Sequence, residues 1–219
     1  MSDALLEAGP FEAHRDGGGL LYHGVRVALE EGRLSLLEAP SGAGKSTLLR
    51  QVAGLVRAPG ATRRLAGAAC PPSRPAAWRA RVTLLAQDAP MLPGTVEDNL
   101  RFPFAHRTAG GREWPAERAR ELLAEVLAEV PPERPVRSLS GGERHRLALV
   151  RGLLWEPVVL LADEPLSGLD PERAERCLGL LAEHARRPGH AALVVLHEPS
   201  LAGRVDVRLR LGRAGLERT

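Results

Sequence analysis

The stretch "APSGAGKST", residues 39–47, decides the fold that this sequence specifies. It follows an apolar run at 32–39, "GRLSLLEA", that is typical of a β-strand. It leads into a segment at 46–56, "STLLRQVAGLV", in which apolar residues recur at helical spacing. A glycine-rich loop between a strand and a helix presents backbone N–H groups to phosphate, and the helix N-terminus adds a partial positive charge. The stretch therefore predicts a phosphate-binding loop.

The basic residue of this loop, Lys45, is the only lysine among 219 residues. An ammonium is a compact point charge that fits between phosphate oxygens, whereas an arginine guanidinium is a rigid planar fork. In the pattern G-x-x-x-x-G-K-[ST], the lysine reaches the terminal phosphates and the following hydroxyl, here that of Ser46, binds Mg²⁺. The predicted phosphate contacts are Ser41, Gly42, Ala43, Gly44, Lys45, Ser46 and Thr47.

Ala39 stands where this pattern has its first glycine. If the position requires a positive φ, an alanine there is strained by about 1 kcal/mol. If the glycine serves only close packing, one methyl group fits in its place. The sequence leaves both possibilities open.

Strand-like and helix-like segments alternate along most of the chain, which predicts an α/β fold with a largely parallel sheet. The apolar runs that predict strands lie at 32–39, 81–87, 158–164 and 191–198. The segments that predict helices lie at 46–56, 116–130, 138–157 and 170–189. Apolar and polar residues alternate at 205–212, which predicts an edge strand.

Composition and charge exclude several classes of function. The net charge is only +3 and no dense basic run occurs, so we expect no nucleic-acid partner. No run approaches the ~18 apolar residues of a membrane span, so any membrane role requires a partner. The acidic N-terminal segment has no apolar core and does not predict a signal peptide. Two widely spaced cysteines favour a reduced, cytoplasmic compartment.

Further polar residues follow predicted strands or open predicted helices. Asp163 and Glu164 end the run "VVLLADE"; the first can hold Mg²⁺ and the second can orient and polarise water. Gln87 ends another strand, from which it can reach the metal or the water, and His197 ends the last buried strand. Because loops after parallel strands gather at one edge of a sheet, we expect these side chains to converge beside the phosphate loop.

A second phosphate-binding surface is predicted at "LSGGE", residues 139–143, where a helix begins. Ser140, Gly141 and Gly142 offer a hydroxyl and bare backbone N–H groups, and Ser140 and Glu143 have the spacing of a capping box. Each of these features has a purely structural alternative. Gln87, taken alone, could be an ordinary surface amide, and His197 an ordinary core histidine. The pair Asp163 and Glu164 could belong to a helix start. The Ser-Gly-Gly stretch could be only a capped turn.

Taken together, in this order and at these spacings, the motifs resemble those of the ATP-binding subunits of ABC transporters over nearly the whole chain. The stretch at 39–47 resembles the Walker A loop, Gln87 the Q-loop, 139–143 the family signature, 158–164 the Walker B strand, 167–170 the D-loop and His197 the switch histidine. The resemblance implies one domain over 1–219. It would have a P-loop NTPase core with a mainly parallel sheet, an N-terminal antiparallel β part and a helical subdomain at about 88–156, between Q-loop and Walker B strand.

The resemblance also implies an enzyme that hydrolyses ATP with the help of Mg²⁺. Its catalytic residues would be Glu164, His197, Gln87 and Lys45, and its metal-binding residues would be Ser46, Gln87 and Asp163. Two subunits, identical or different, would form a head-to-tail dimer. Each ATP would then lie between the phosphate loop of one subunit and Ser140, Gly141 and Gly142 of the other.

Adenine in this family often stacks on an aromatic residue about thirty positions before the loop lysine. His14 is the nearest candidate here, whereas Phe11 lies earlier and Tyr22 later. Residues 87–104 would contact a separate integral membrane permease and hold the chain at the inner face of the cell membrane. The segment "PGTVEDNLRFPF" at 93–104 resembles stand-alone subunits linked to metal or iron export.

Two other functions are weighed against transport. A soluble ABC ATPase for cluster assembly or DNA maintenance has the same motifs, but the 94 residues from Lys45 to the signature carry no sustained heptads, which argues against DNA-repair relatives. A small-molecule P-loop kinase leaves residues 139–143 unexplained. Copurification with a multi-span protein, or detection of a phosphorylated small molecule, would separate the three.

Overall fold

The computed structural model describes residues 4–15, 17–70, 75–88, 90–105, 110–198 and 200–219. Its strands are β1 Ala4–His14, β2 Leu20–Glu30, β3 Leu34–Glu38, β4 Thr62–Leu65, β5 Ala68–Ala69, β6 Val82–Leu85, β7 Val159–Asp163, β8 Ala191–Val195, β9 Val207–Gly212 and β10 Gly215–Arg218. Its α-helices are α1 Lys45–Val52, α2 Pro75–Arg81, α3 Val96–Arg101, α4 Ala116–Val126, α5 Gly141–Trp155 and α6 Pro171–Arg186. Short 3₁₀ turns lie at Phe102–Ala105, Val136–Ser138 and Ala202–Arg204.

The larger sheet has six strands in the order β10-β9-β3-β8-β7-β6 and is parallel from β6 to β9. Strands β7 and β8 are buried at every residue, because helices and the second sheet cover both of their faces. The continuous apolar runs that predicted these strands are thereby explained. The parallel core and the P-loop NTPase fold class are confirmed.

Side chains of this sheet divide between two apolar clusters. Leu36 and Leu160 pack with α3 to α6, whereas their chain neighbours Leu37 and Leu161 pack with α1 and the antiparallel sheet. The sheet is therefore the middle layer of the molecule. Its carboxyl ends after β3, β6, β7 and β8 lead into the loops that carry the predicted site residues.

The smaller sheet is antiparallel, with the order β2-β1-β4-β5, and confirms the predicted N-terminal β part. Its buried face consists of apolar residues such as Leu6, Val25 and Leu29, which pack toward α1 and the parallel sheet. Between 88 and 156, the regular elements within the described residues are helical, and α5 packs against both α3 and α4. The division of this region into a subdomain stays a prediction.

Three details of the sequence prediction are wrong. Helix α4 ends at Val126, four residues before the predicted end at 130. Strand β9 is not an edge strand, because it pairs in parallel with β3 and antiparallel with the short β10. Its alternation arises because one face, with Val207 and Leu209, packs on the core while the other is exposed. Helix α1 ends at Val52, so Leu55 and Val56 do not lie on its apolar face and are 55% and 40% exposed.

No helix within the described residues combines the length and the apolar character that crossing a bilayer requires.

Candidate active site

The predicted phosphate loop connects β3 to α1. Gly42 and Gly44 have φ of 73° and 94°, a left-handed conformation that glycine adopts without penalty. Gly44 precedes the first residue of α1 and supplies no side-chain cap, so the first N–H groups of the helix are left to other partners. The strand, glycine-rich loop and helix thus have the arrangement that suits a phosphate.

Lys45 is buried, with 9% of its surface exposed. Its Nζ donates hydrogen bonds to the carbonyl oxygens of Ala39, at 2.9 Å, and Pro40, at 3.4 Å. The ammonium therefore lies within the loop rather than on the outer surface. The loop residues 40–42 are exposed, while Ala39 and the residues 43, 44, 46 and 47 are partly buried.

Ala39 has an ordinary backbone conformation. Among the described non-glycine residues, φ is positive only at Ala66, Glu156 and Glu164. Ala39 is partly buried and packs against the apolar cluster around α1. Of the two possibilities that the sequence left open, the structure thus supports close packing and not strain.

Asp163 is the last residue of β7 and only 3% exposed. Its Oδ1 atom is buried and has no hydrogen-bond partner. A buried carboxylate oxygen without a partner is costly, and Mg²⁺ prefers oxygen ligands of this kind. The donor set of Asp163, Ser46 and Gln87 consists of oxygen-bearing groups and therefore fits a magnesium ion.

Glu164, the next residue, joins two of the other predicted site residues. Its Oε2 accepts a hydrogen bond from Gln87 Nε2 at 3.0 Å, and its Oε1 lies 2.5 Å from His197 Nε2. The structure thus brings together side chains from the ends of three parallel strands, as the sheet rule predicted. Glu164 is also in the left-handed region, with φ of 53°, a strain typical of functional sites that the sequence did not reveal.

Ser140 begins α5 and forms the predicted capping box. Its Oγ accepts from the backbone N–H of Glu143, and its own N–H donates to Glu143 Oε2 at 2.6 Å. This N–H chiefly, with the Ser140 hydroxyl and the Arg134 guanidinium, holds the pKa of Glu143 below its usual range. Ser140 and Gly141 are exposed, so this surface is open to another molecule.

The segment after Glu164 is tied to the same helix. His145 of α5 has its Nδ1 3.2 Å from the carbonyl oxygen of Ser167. Asp170 then caps α6 by accepting from the N–H of Arg173, and Pro171 is the first residue of that helix, which lies within the segment predicted to be helical. The stretch at 167–170 therefore connects the segment that carries Asp163 and Glu164 to α5 and α6.

The aromatic candidates for an adenine contact differ sharply in burial. Phe11 and Tyr22 are 1% and 0% exposed, so neither can present a ring face to a base. His14, at the end of β1, has a side chain that is 48% exposed, and its Nε2 lies 3.5 Å from Glu12 Oε1. The adenine contact at His14 stays a prediction.

Sequence reasoning also missed a polar pair beneath the phosphate loop. The hydroxyl of Tyr22 donates to Gln51 Oε1 at 3.0 Å, and both residues are buried. The two positions are 29 residues apart and neither belongs to a motif, so only a buried glutamine on the apolar side of α1 could have pointed to the pair.

Comparison with known proteins gives a consistent result. A family profile described as "ABC transporter" matches residues 22–167. The chain is 40% identical, over 87% of its length and 87% of the relative, to "Lipoprotein-releasing system ATP-binding protein LolD 1" of Rhodospirillum rubrum. It is 37% identical, over 97% of its length and 76% of the relative, to "Hemin import ATP-binding protein HmuV" of Streptomyces coelicolor.

Solved structures agree in fold. A dimeric ATP-binding cassette in a post-hydrolysis state, bound to ADP and phosphate, superposes with a TM-score of 0.81 at 24% identity over 97% of each chain. An "ATP binding subunit of ABC transporter" gives 0.82 at 24% identity, over 98% of this chain and 89% of that one. The curated relatives thus include proteins named for release and for import.

Proposed function

Because this chain belongs to the ABC transporter family of ATP-binding subunits and is an ATPase, we propose that it powers transport through a separate membrane permease. We further propose that Glu164 is the base that activates water for ATP hydrolysis. The observation that carries the proposal is the position of Glu164, fixed by Gln87 and His197 and adjacent to the unpartnered Oδ1 of Asp163.

The phosphates of ATP bind at residues 39–47, where the N–H groups of the loop and the first turn of α1 donate to phosphate oxygens. Lys45 Nζ exchanges its contacts with loop carbonyls for contacts with the terminal phosphates. Mg²⁺, held by Ser46, Asp163 and Gln87, would neutralise charge on the phosphates. Ser46 lies in α1, which follows β3, and Asp163 ends β7; β8 separates these two strands, and both leave the same carboxyl edge of the parallel sheet.

The Glu164 carboxylate accepts the proton of the attacking water. His197 Nε2 and Gln87 Nε2 each contact one oxygen of that carboxylate. These two contacts hold the carboxylate in place, although the glutamate side chain is flexible by itself. Since Gln87 opens the segment that we assign to the permease, movement of that segment changes the position of the base.

Ser140, Gly141 and Gly142 bind the ATP of a second subunit in a head-to-tail dimer. Support comes from the exposure of Ser140 and Gly141 at the start of a 15-residue helix. The Ser140 hydroxyl oxygen acts as the cap acceptor, and the hydroxyl proton, which interacts with the Glu143 carboxylate, is redirected to a phosphate oxygen when ATP binds. Such a surface acts on a ligand that another molecule holds.

The permease docks in a groove that is lined in part by the segment 87–104. The groove has a volume of 460 Å³ and lies between β6, the 3₁₀ turn at Phe102–Ala105 and α5. Its lining is mainly apolar and includes Leu84, Pro90, Leu92, Phe102 and Pro103. Phe102 is 41% exposed, which is unusual for a phenylalanine and typical of an interaction surface. The chain is thereby held at the cytoplasmic face of the membrane.

We assign the direction as export. The segment 93–104 resembles stand-alone export subunits, and five of the relatives that match are named for lipoprotein release. Inverted membrane vesicles test the direction. Export predicts that solutes of a cell extract accumulate inside them when ATP is added outside, whereas import relatives such as those named for phosphonates or hemin predict no accumulation.

The substitution Glu164→Gln tests the catalytic proposal. An amide of nearly the same shape cannot accept the proton, so turnover should fall by about 10² or more. Loss of one negative charge should leave ATP binding equal or tighter, and a dimer should accumulate with ATP and Mg²⁺ in size-exclusion chromatography. Normal hydrolysis by the variant would show that Glu164 is not the base.

The permease proposal is tested with Phe102→Glu and the equally exposed control Leu20→Glu, which lies outside the groove. A tagged chain extracted from its native membranes in mild detergent should copurify with a multi-span protein. Phe102→Glu should lose this partner and keep its ATPase activity, and Leu20→Glu should keep the partner. Wild-type chain that purifies without any multi-span protein would favour the soluble alternative.

A further inference from the structure

The floor of the phosphate loop is the ring of Tyr22. Gly44 lies so close to this ring that a Cβ atom built on Gly44 would be 2.9 Å from Tyr22 Cε1 and 3.1 Å from Leu21 Cδ1. Tyr22 itself is fully buried in β2. The backbone of Gly44, which immediately precedes Lys45, therefore rests on the tyrosine ring with no space for a side chain between them.

The hydroxyl of the same tyrosine fixes the helix that follows the loop. It donates to Gln51 Oε1 at 3.0 Å, and Gln51 Nε2 donates to the carbonyl oxygen of Glu12 at 2.7 Å. Gln51 lies in α1 and is 4% exposed. The pair thus joins β2, α1 and β1 through buried polar groups that satisfy one another.

This arrangement is costly unless it is complete. A buried hydroxyl or amide that loses its partner is left with the full penalty of desolvation. Burial raises the pKa of Tyr22 above its ordinary value, so the hydroxyl stays protonated and continues to donate. A phenylalanine at position 22 would keep the ring and lack only the hydroxyl, so packing alone does not require the polar group.

We propose that Tyr22 is a positioning residue for ATP binding: its ring sets the height of Gly44, and its hydroxyl, through Gln51, fixes the direction of α1. The inference deepens the proposed role of residues 39–47 as the phosphate site and rests on it. The loop binds phosphate through hydrogen bonds from several N–H groups at once, and each hydrogen bond weakens steeply when its distance or angle departs from the optimum. A small displacement of Gly44 and α1 therefore weakens all of these hydrogen bonds together.

The ring is tested with Tyr22→Leu and the matched control Leu29→Ala, a buried position in the same strand and apolar cluster. The probes are a fluorescent ATP analogue with Mg²⁺ and, in competition, inorganic tripolyphosphate, which has no base. Tyr22→Leu should lower the affinity for both probes by about tenfold and raise the KM for ATP by the same factor, with kcat at saturating ATP nearly unchanged. Leu29→Ala should lower Tm and leave both affinities at the wild-type value. Equal loss of affinity in the control would overturn the inference.

The hydroxyl is tested with a double-mutant cycle of Tyr22→Phe and Gln51→Met. Each single change should lower the affinity for tripolyphosphate by about threefold. The double variant should bind it no less tightly than either single variant, because both changes remove the same hydrogen bond. Additive effects would show that the two side chains act separately. This cycle decides the matter even if Tyr22→Leu fails to fold.

Lys45→Arg separates failure of this inference from failure of the proposed site. If Lys45→Arg binds tripolyphosphate as wild type does, the phosphate site itself is misassigned. If Lys45→Arg loses binding while the variants of Tyr22 and Gln51 retain wild-type affinity, the loop is the phosphate site and Tyr22 has no positioning role.

Discussion

Two helices, α1 and α5, begin at predicted phosphate-binding surfaces, and their N-termini are built in opposite ways. The start of α1 has no side-chain cap and lies over the buried pair of Tyr22 and Gln51. The start of α5 caps itself on the surface with Ser140 and Glu143. The first leaves its N–H groups to a ligand and is supported from the core, while the second is complete on its own.

This difference fits the two roles proposed for the surfaces. A site that holds ATP within one subunit needs uncapped N–H groups, so the core must supply the order that a cap would otherwise give. A surface that meets the ATP of a second subunit must keep its shape before the subunits come together. Substitutions at three positions test this difference between α1 and α5.

Ser140→Arg should have the largest effect. The side chain should block the surface of α5, so turnover should fall by about 10², the scale of losing a preorganised donor. ATP binding by the monomer, which depends on α1, should stay close to wild type in a fluorescence titration. A fall in monomer affinity as large as that in turnover would mean that both surfaces act on one ATP in one chain.

Loss of the cap is a side effect of that substitution and needs its own control. Thr95→Ala removes the equivalent capping box of α3, formed with Asp98. It should cost about 1 kcal/mol of stability and leave hydrolysis unchanged. Activity lost in this control would show that reduced stability alone explains Ser140→Arg.

Ala39→Gly should have a smaller effect, confined to stability. Because Ala39 has an ordinary φ, glycine should cost up to ~1 kcal/mol through the unfolded state. The carbonyl that accepts from Lys45 is present in both variants, so nucleotide affinity should not change. Thermal unfolding and an ATP titration measure the two quantities, with Ala58→Gly as a control on the same apolar cluster. A large loss of ATP affinity would contradict this account of the loop.

Lowering the pH should have the smallest effect, and it should destabilise the start of α5 more than the start of α1. The folded-state pKa of Glu143 lies below its value of 4.5 in the unfolded chain. Its stabilising contribution is therefore fully present above that value and is lost as the pH falls through the lower, folded pKa. Hydrogen exchange, corrected for intrinsic rates, should show the amides at Ser140–Glu143 losing protection toward pH 3, with a smaller change at the start of α1. Glu143→Gln should remove the difference.

Local features of the site could be predicted from the sequence, because they depend on neighbouring residues. The capping box of Ser140 and Glu143 follows from spacing alone, and the approach of Gln87, Glu164 and His197 follows from the rule for parallel strands. The roles of these residues in catalysis stay predictions.

Features that depend on tertiary packing could not be predicted in the same way. The left-handed backbone of Glu164 is imposed by its surroundings, and the contact between Tyr22 and Gln51 joins residues far apart in the chain. Strand β10 is only four residues long, so its pairing with β9 left no clear periodic pattern. The end of α1 at Val52 was missed because the apolar pattern continues through the turn that follows.

The burial of Lys45 has a consequence for chemical labelling. Since the chain contains no other lysine, its single ε-amino group lies in the phosphate loop, 9% exposed. An acylating reagent should therefore modify the side chain of Lys45 slowly, at a rate limited by opening of the loop. The growth of the peptide acylated at Lys45, followed by mass spectrometry, gives an internal clock for this opening, with no need for a mutation or an attached probe.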